Sequence, residues 1–171
     1  EGLAHFSVLY YLKNKLSEKK FNRIVKKLKR WIYRFNESGP IVYGNRISSL
    51  EKSYEAYQSI VYNKSAAVFL MLMELIGEKS FFERLQSVLK KYKYQSITSM
   101  QFIRQMAKKN NRILNFFKNW IFSRSIPVIK LELAKKSKEF DKKEFKKVVL
   151  LVKQLNTDYI FPLKLKELTT K

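Results

Sequence analysis

Cysteine is absent from this chain, which excludes disulfides, thiolate nucleophiles and every cysteine-ligated zinc or iron–sulfur site. Histidine occurs once, at His5, whereas a hydrolytic zinc takes about three protein ligands and keeps one position open for water. Four glycines and three prolines punctuate 171 residues; loops are therefore few or built from Asn and Ser, and no phosphate-cradling or dinucleotide-binding glycine pattern occurs. No H-E-x-x-H, G-x-S-x-G or Walker sequence is present either, so the chain alone holds no complete catalytic constellation. Acidic residues are scarce: 14 against 36 Lys plus Arg, a net charge of +22. Such an imbalance draws polyanions or anionic membranes to exposed faces. Because the charge is spread along the chain, a solvated lysine-rich surface is the simpler reading, and no specific nucleic-acid motif is found.

The opening residues, EGLAHF, lack the basic, apolar and small-residue zones of a secretory signal. They also lack a starting Met, which leads us to expect that the chain begins inside a longer protein. Absence of cysteine is compatible with the cytoplasm, the compartment favoured on that ground alone.

What is present is apolar and periodic. Hydrophobic residues make up 46% and aromatics 15% of the chain, enough to build a core. The organising stretch is Ile60–Ile76, IVYNKSAAVFLMLMELI, read as a buried helix whose first turn carries Tyr62, Asn63 and Lys64 and which Gly77 stops. Its apolar run, Ala66–Met73, is too short to span a bilayer, so no transmembrane segment is expected. Before it, the spacing predicts a helix over residues 3–16, with Leu3, Phe6, Tyr10 and Leu12 or Leu16 inward. A second helix follows Ser17, with Phe21, Ile24, Val25, Leu28, Trp31, Ile32 and Phe35 on one face and Lys19, Lys20, Arg23, Lys26, Lys27, Lys29 and Arg30 on the other. Residues 36–55 lose the period and read as a loop.

After Gly77, Ser80 is a candidate cap for a helix burying Phe82, Leu85, Val88, Leu89 and Tyr92. Thr98 and Gln101 have capping-box spacing ahead of Phe102, Ile103 and Met106. A last apolar helix over Ile113–Ile121 is closed by Pro127. Past Pro127 the period falls to two: Ile129–Leu133 is a strand candidate, and Val148–Leu155 with Tyr159–Leu168 suggest a hairpin turning on Asn156, Thr157 and Asp158. The reading is mainly α over 1–127 and antiparallel β over 128–171.

Taken in order, Glu1-Gly2-Leu3-Ala4, Val61-Tyr62-Asn63-Lys64-Ser65-Ala66, Phe102, Phe117-Lys118-Asn119-Trp120 and Ile126-Pro127-Val128 resemble the aminopeptidase N family of gluzincin zinc metallopeptidases. In that family an N-E-G motif follows H-E-x-x-H and a Y-x-K-G-A motif comes later, and the Glu1-to-Tyr62 spacing fits. The resemblance implies the helical half of a thermolysin-like catalytic domain, followed by the start of a β-sandwich. Glu1 would match the third zinc ligand and Tyr62 the phenol that hydrogen-bonds the oxyanion. Two departures stand out: Ser65 replaces a glycine, and Ser125 replaces a glycine before the final proline.

The resemblance further implies a peptide substrate, zinc in the full-length parent but none in this chain alone, and a missing remainder of the catalytic domain. An apolar face left uncovered by that remainder would favour self-association. Three alternatives stay open from the residues themselves. From its own segment alone, Tyr62 reads more simply as a core-edge tyrosine with its hydroxyl in water. The chain could be a non-catalytic scaffold with a peptidase-like fold, or a basic helical module for nucleic acid or anionic lipid.

Overall fold

The computed structural model describes residues 1–43, 53–133, 150–155 and 159–163. Seven α-helices are described: α1 (Gly2–Lys15), α2 (Glu18–Phe35), α3 (Ser53–Tyr57), α4 (Ser65–Ile76), α5 (Glu78–Lys91), α6 (Ser99–Ala107) and α7 (Asn111–Phe122). Two 3₁₀ turns, Asn36–Ser38 and Ile41–Tyr43, follow α2, and a π-helical turn, Gln58–Lys64, joins α3 to α4 without a break. Strands β1 (Ile129–Leu133) and β2 (Leu150–Gln154) pair antiparallel, with Leu131 opposite Val152. The fold is thus mainly helical with a small antiparallel sheet near the C-terminus.

The chain divides into two units, Glu1–Ser125 with Ile160–Lys171, and Ile126–Tyr159. In the second unit, Leu155 N–H donates to Val128 O at 2.9 Å, and Glu132 takes Lys130 at 2.7 Å and Lys153 at 3.2 Å. Strand β2 pairs with β1, so the expected hairpin partner over Tyr159–Leu168 is corrected. Residues 159–163 form no strand, while Asn156–Asp158 and residues 164–168 lie outside the described residues.

The first unit is built on the α3–π–α4 helix. It starts at Ser53, earlier than the apolar run indicates, so Tyr62, Asn63 and Lys64 sit in the π turn at mid-helix rather than in a first turn. The composite Tyr54–Ile76 helix is long and apolar enough to cross a membrane. In this fold it packs against α1, α2, α5 and α7, burying Ile60, Ala66, Val68, Leu72 and Met73.

Around it lies an aromatic core in tilted and edge-to-face pairs: Phe6 with Phe81 at 5.1 Å, Phe69 with Phe102 at 5.9 Å and Phe102 with Phe117 at 6.2 Å. This geometry suits the ring quadrupole and adds to the area buried. Phe81 is buried and Phe82 only half-buried, Leu9 joins Phe6 in the core, and Leu89 is 57% exposed instead of inward.

Local chemistry sets the boundaries. Thr98 and Gln101 form the expected capping box, at 3.2 and 2.8 Å. Arg84 closes the far end of α6 by donating to the Met106 and Ala107 carbonyls at 2.8 and 3.0 Å. The N-cap of α5 is Gly77, at φ +83°; Ser80 lies inside the helix and accepts from Arg84 Nε at 3.3 Å. Helix α7 ends at Phe122, before Pro127, and Ser123 Oγ accepts from Ser125 N–H.

Helices α1 and α4 meet at Gly2 and Ser65. A Cβ on Gly2 would overlap Ser65 Cβ and lie 3.1 Å from its Oγ, so this close approach needs hydrogen on one side. Gly2→Ala is expected to cost about 1–3 kcal/mol by overpacking. In a Ser65→Gly background the nearest remaining contact is Cα, at 3.4 Å, an ordinary distance. Denaturant unfolding of the double-mutant cycle should therefore show a favourable coupling of about 1 kcal/mol or more; additive effects would contradict the contact.

Candidate functional site

The crossing at Gly2 brings the start of α1 to the π turn, and with it two of the residues singled out in the sequence. Glu1 is the N-cap of α1 and exposed, and it makes no side-chain capping bond. Its carboxylate instead lies close enough to the Tyr62 hydroxyl to be the leading cause of a Tyr62 pKa raised above the ordinary 10.0. Such a phenol stays protonated at neutral pH, so it acts as a donor and not as a base. Tyr57 packs edge-to-face on Tyr62, with centroids 6.0 Å apart.

His5, one turn beyond Glu1, is half-buried rather than a surface histidine. Its ring lies 6.4 Å from that of Tyr62, Nδ1 is buried with no hydrogen-bond partner, and burial lowers its pKa despite a hydrogen bond to the Tyr62 backbone. A cavity of about 350 Å³ opens beside it, lined among others by Asn63, Tyr54, Gln58, Lys27 and Trp31.

Lys64 lies under the site and is only 2% exposed. Its ammonium donates to Asn36 Oδ1 at 3.0 Å and to the Ser123 carbonyl at 3.3 Å. Burial pulls its pKa down from 10.5 to about 8, partly offset by Glu37. Reading the sequence placed Lys64 at a polar helix tip; its burial depends on partners 28 and 59 residues away. Asn36 and Ser123 thus tie the end of α2 and the end of α7 to the turn that carries Tyr62.

As to metal, no cluster of three or more His, Cys, Asp or Glu able to hold an ion occurs among the described residues. The Glu1 carboxylate has the chemistry of one ligand. His5 buries Nδ1 without a hydrogen-bond partner. The described residues by themselves do not make a zinc site.

Comparison with family profiles matches residues 1–120 to the Peptidase family M1 domain. The chain belongs to peptidase family M1. Neither the curated proteins nor the solved structures give a significant match. Membership places this M1 chain in a family of zinc metallopeptidases, and the matched span runs from Glu1 to Trp120, covering α1–α6 and all but the last two residues of α7.

Lys64 supplies a pH test of this architecture. Below about pH 8 folded and unfolded chains both carry its proton, and the folded chain bears the full cost of burying the charge. Between about 8 and 10.5 the folded chain releases the proton while the unfolded chain keeps it, so this position's contribution to stability rises with pH, by about 1.4 kcal/mol per unit. The difference in unfolding free energy between wild type and Lys64→Met should climb with that slope between pH 8 and 10. A flat difference would show that Lys64 titrates as a solvated amine.

Proposed function

We propose that this M1 chain is the helical part of a zinc-dependent aminopeptidase, inactive alone and completed by an upstream segment bearing H-E-x-x-H. The observation that carries the reading is the closeness of the Glu1 carboxylate to the Tyr62 hydroxyl across the α1–π-turn junction, which raises the Tyr62 pKa. In this reading Glu1 is the third zinc ligand and Tyr62 the catalytic donor. Bound zinc supplies Lewis-acid polarisation and an acidified water. The residues of this chain do the rest locally. A phenol that stays protonated beside a carboxylate can donate to the oxyanion that forms when water adds to a scissile carbonyl next to it. One preorganised donor of this kind lowers a barrier by about 3–4 kcal/mol.

Position supports the assignment. Tyr62 rides on a π turn, a geometry frequent at functional sites, and the turn is fixed from below by Lys64 and from the side by Tyr57. The β1–β2 pair would then begin the β-sandwich that follows the catalytic domain. Substrates would be peptides with a free N-terminus, in the cytoplasm.

The test uses the complete reading frame. Zinc-loaded protein should release N-terminal residues from peptides. Tyr62→Phe should lower kcat by about 10²–10³-fold with zinc stoichiometry unchanged, and Glu1→Gln should lose zinc. Undiminished turnover in Tyr62→Phe removes Tyr62 from its role. Peptide binding without any hydrolysis by the zinc-loaded wild type favours a scaffold instead.

A further inference from the structure

Helix α2 carries a feature that peptide hydrolysis does not use. Lys19, Arg23, Lys26, Arg30 and Arg34 follow one another at intervals of four, three, four and four residues, and Lys20 and Lys27 lie alongside; all seven are exposed. At about 1.5 Å per residue the row is roughly 22 Å long. Glu18 is the only acidic residue in the helix, and it lies in the first turn, where the helix dipole favours it. Among the described residues, both salt bridges belong to Glu132, and none of the seven has a carboxylate partner. Among the described residues nothing acidic pairs with this line of cations.

We propose that this face of α2 is a docking surface for anionic phospholipid bilayers, held by charge without insertion of the helix. Insertion is excluded because the apolar stripe of α2 is already committed to the π turn and α1, with Leu28 buried. An amphipathic helix that enters a membrane needs that stripe free. What remains is a convex cationic row with Trp31, 43% exposed, on one flank and Tyr33, 79% exposed, on the other. Indole and phenol side chains sit well at headgroup level. A flat, laterally fluid anionic surface fits such a row. Single-stranded nucleic acid is gripped instead by a basic groove lined with stacking aromatics; of the seven cations only Lys27 lines the cavity beside α2, and the Lys19–Arg34 row lies outside it.

The test is sedimentation of the protein from the complete reading frame with phosphatidylcholine vesicles containing about 30% phosphatidylserine, against phosphatidylcholine alone. Binding should require the anionic lipid and weaken steeply between about 50 and 300 mM salt. Each surface cation contributes about fivefold in affinity. The variant Lys19→Gln/Arg23→Gln/Lys26→Gln/Arg30→Gln should therefore bind at least about 50-fold more weakly. A control with equal charge loss at other exposed positions, Lys79→Gln/Lys90→Gln/Lys93→Gln/Lys118→Gln, should lose no more than about fivefold. Unchanged far-ultraviolet circular dichroism shows that both variants fold. Equal losses in the two variants, equal binding to neutral vesicles, or retention by duplex or single-stranded nucleic acid with no vesicle binding would each overturn the proposal.

Discussion

The contact between Gly2 and Ser65 governs how this molecule is arranged. Two helices approach so closely there that one side can carry no Cβ, and this sets where the start of α1 falls relative to the π turn. In the family pattern a glycine stands at position 65; here a serine does, and the close approach survives because Gly2 provides the room. Ser65 Oγ turns back to the Ile60 carbonyl at 3.4 Å, which keeps its polar atom within its own helix. Glu1 and Tyr62 meet as a consequence of backbone proximity, not of long side chains searching for each other.

Beneath that junction the structure spends stability on a buried cation. Lys64 is satisfied by an amide oxygen and a main-chain carbonyl, neutral acceptors that only partly replace water around a charge. The result is a clasp: the turns after α2 and after α7 are held to the same π turn that presents Tyr62. Such a clasp rigidifies the helix at the place where a donor must be aimed, and a donor held on a rigid element loses little in reorganisation. The same helix buries its apolar side from Ile60 to Met73, so orientation and stability come from one element.

Much of this was legible in the residues. Periodicity located α1, α2 and α5–α7, capping chemistry fixed the start of α6, and motif order connected Glu1 with Tyr62. The extension of the central helix back to Ser53 was not legible, because SYEAYQ has no apolar period and reads as loop. Nor was the burial of Lys64, since its partners Asn36 and Ser123 are remote in sequence and ordinary in composition. Leu89 shows the complementary failure: it fits the inward spacing of α5, yet Phe81, Leu85 and Val88 already fill that face. The pairing of β2 with β1 was not foreseen because alternation identifies a strand without naming its neighbour.

The account stands or falls on the pairing of the Glu1 carboxylate with the Tyr62 phenol, and tyrosine titration by ultraviolet difference spectroscopy reads it directly. Subtracting the Tyr62→Phe spectrum isolates the Tyr62 phenol. It should ionise above the ordinary 10.0, and Glu1→Gln should bring it back down toward that value, because the carboxylate is the leading cause of the shift. A Tyr62 that ionises at the same pH with and without the Glu1 carboxylate would contradict the central claim.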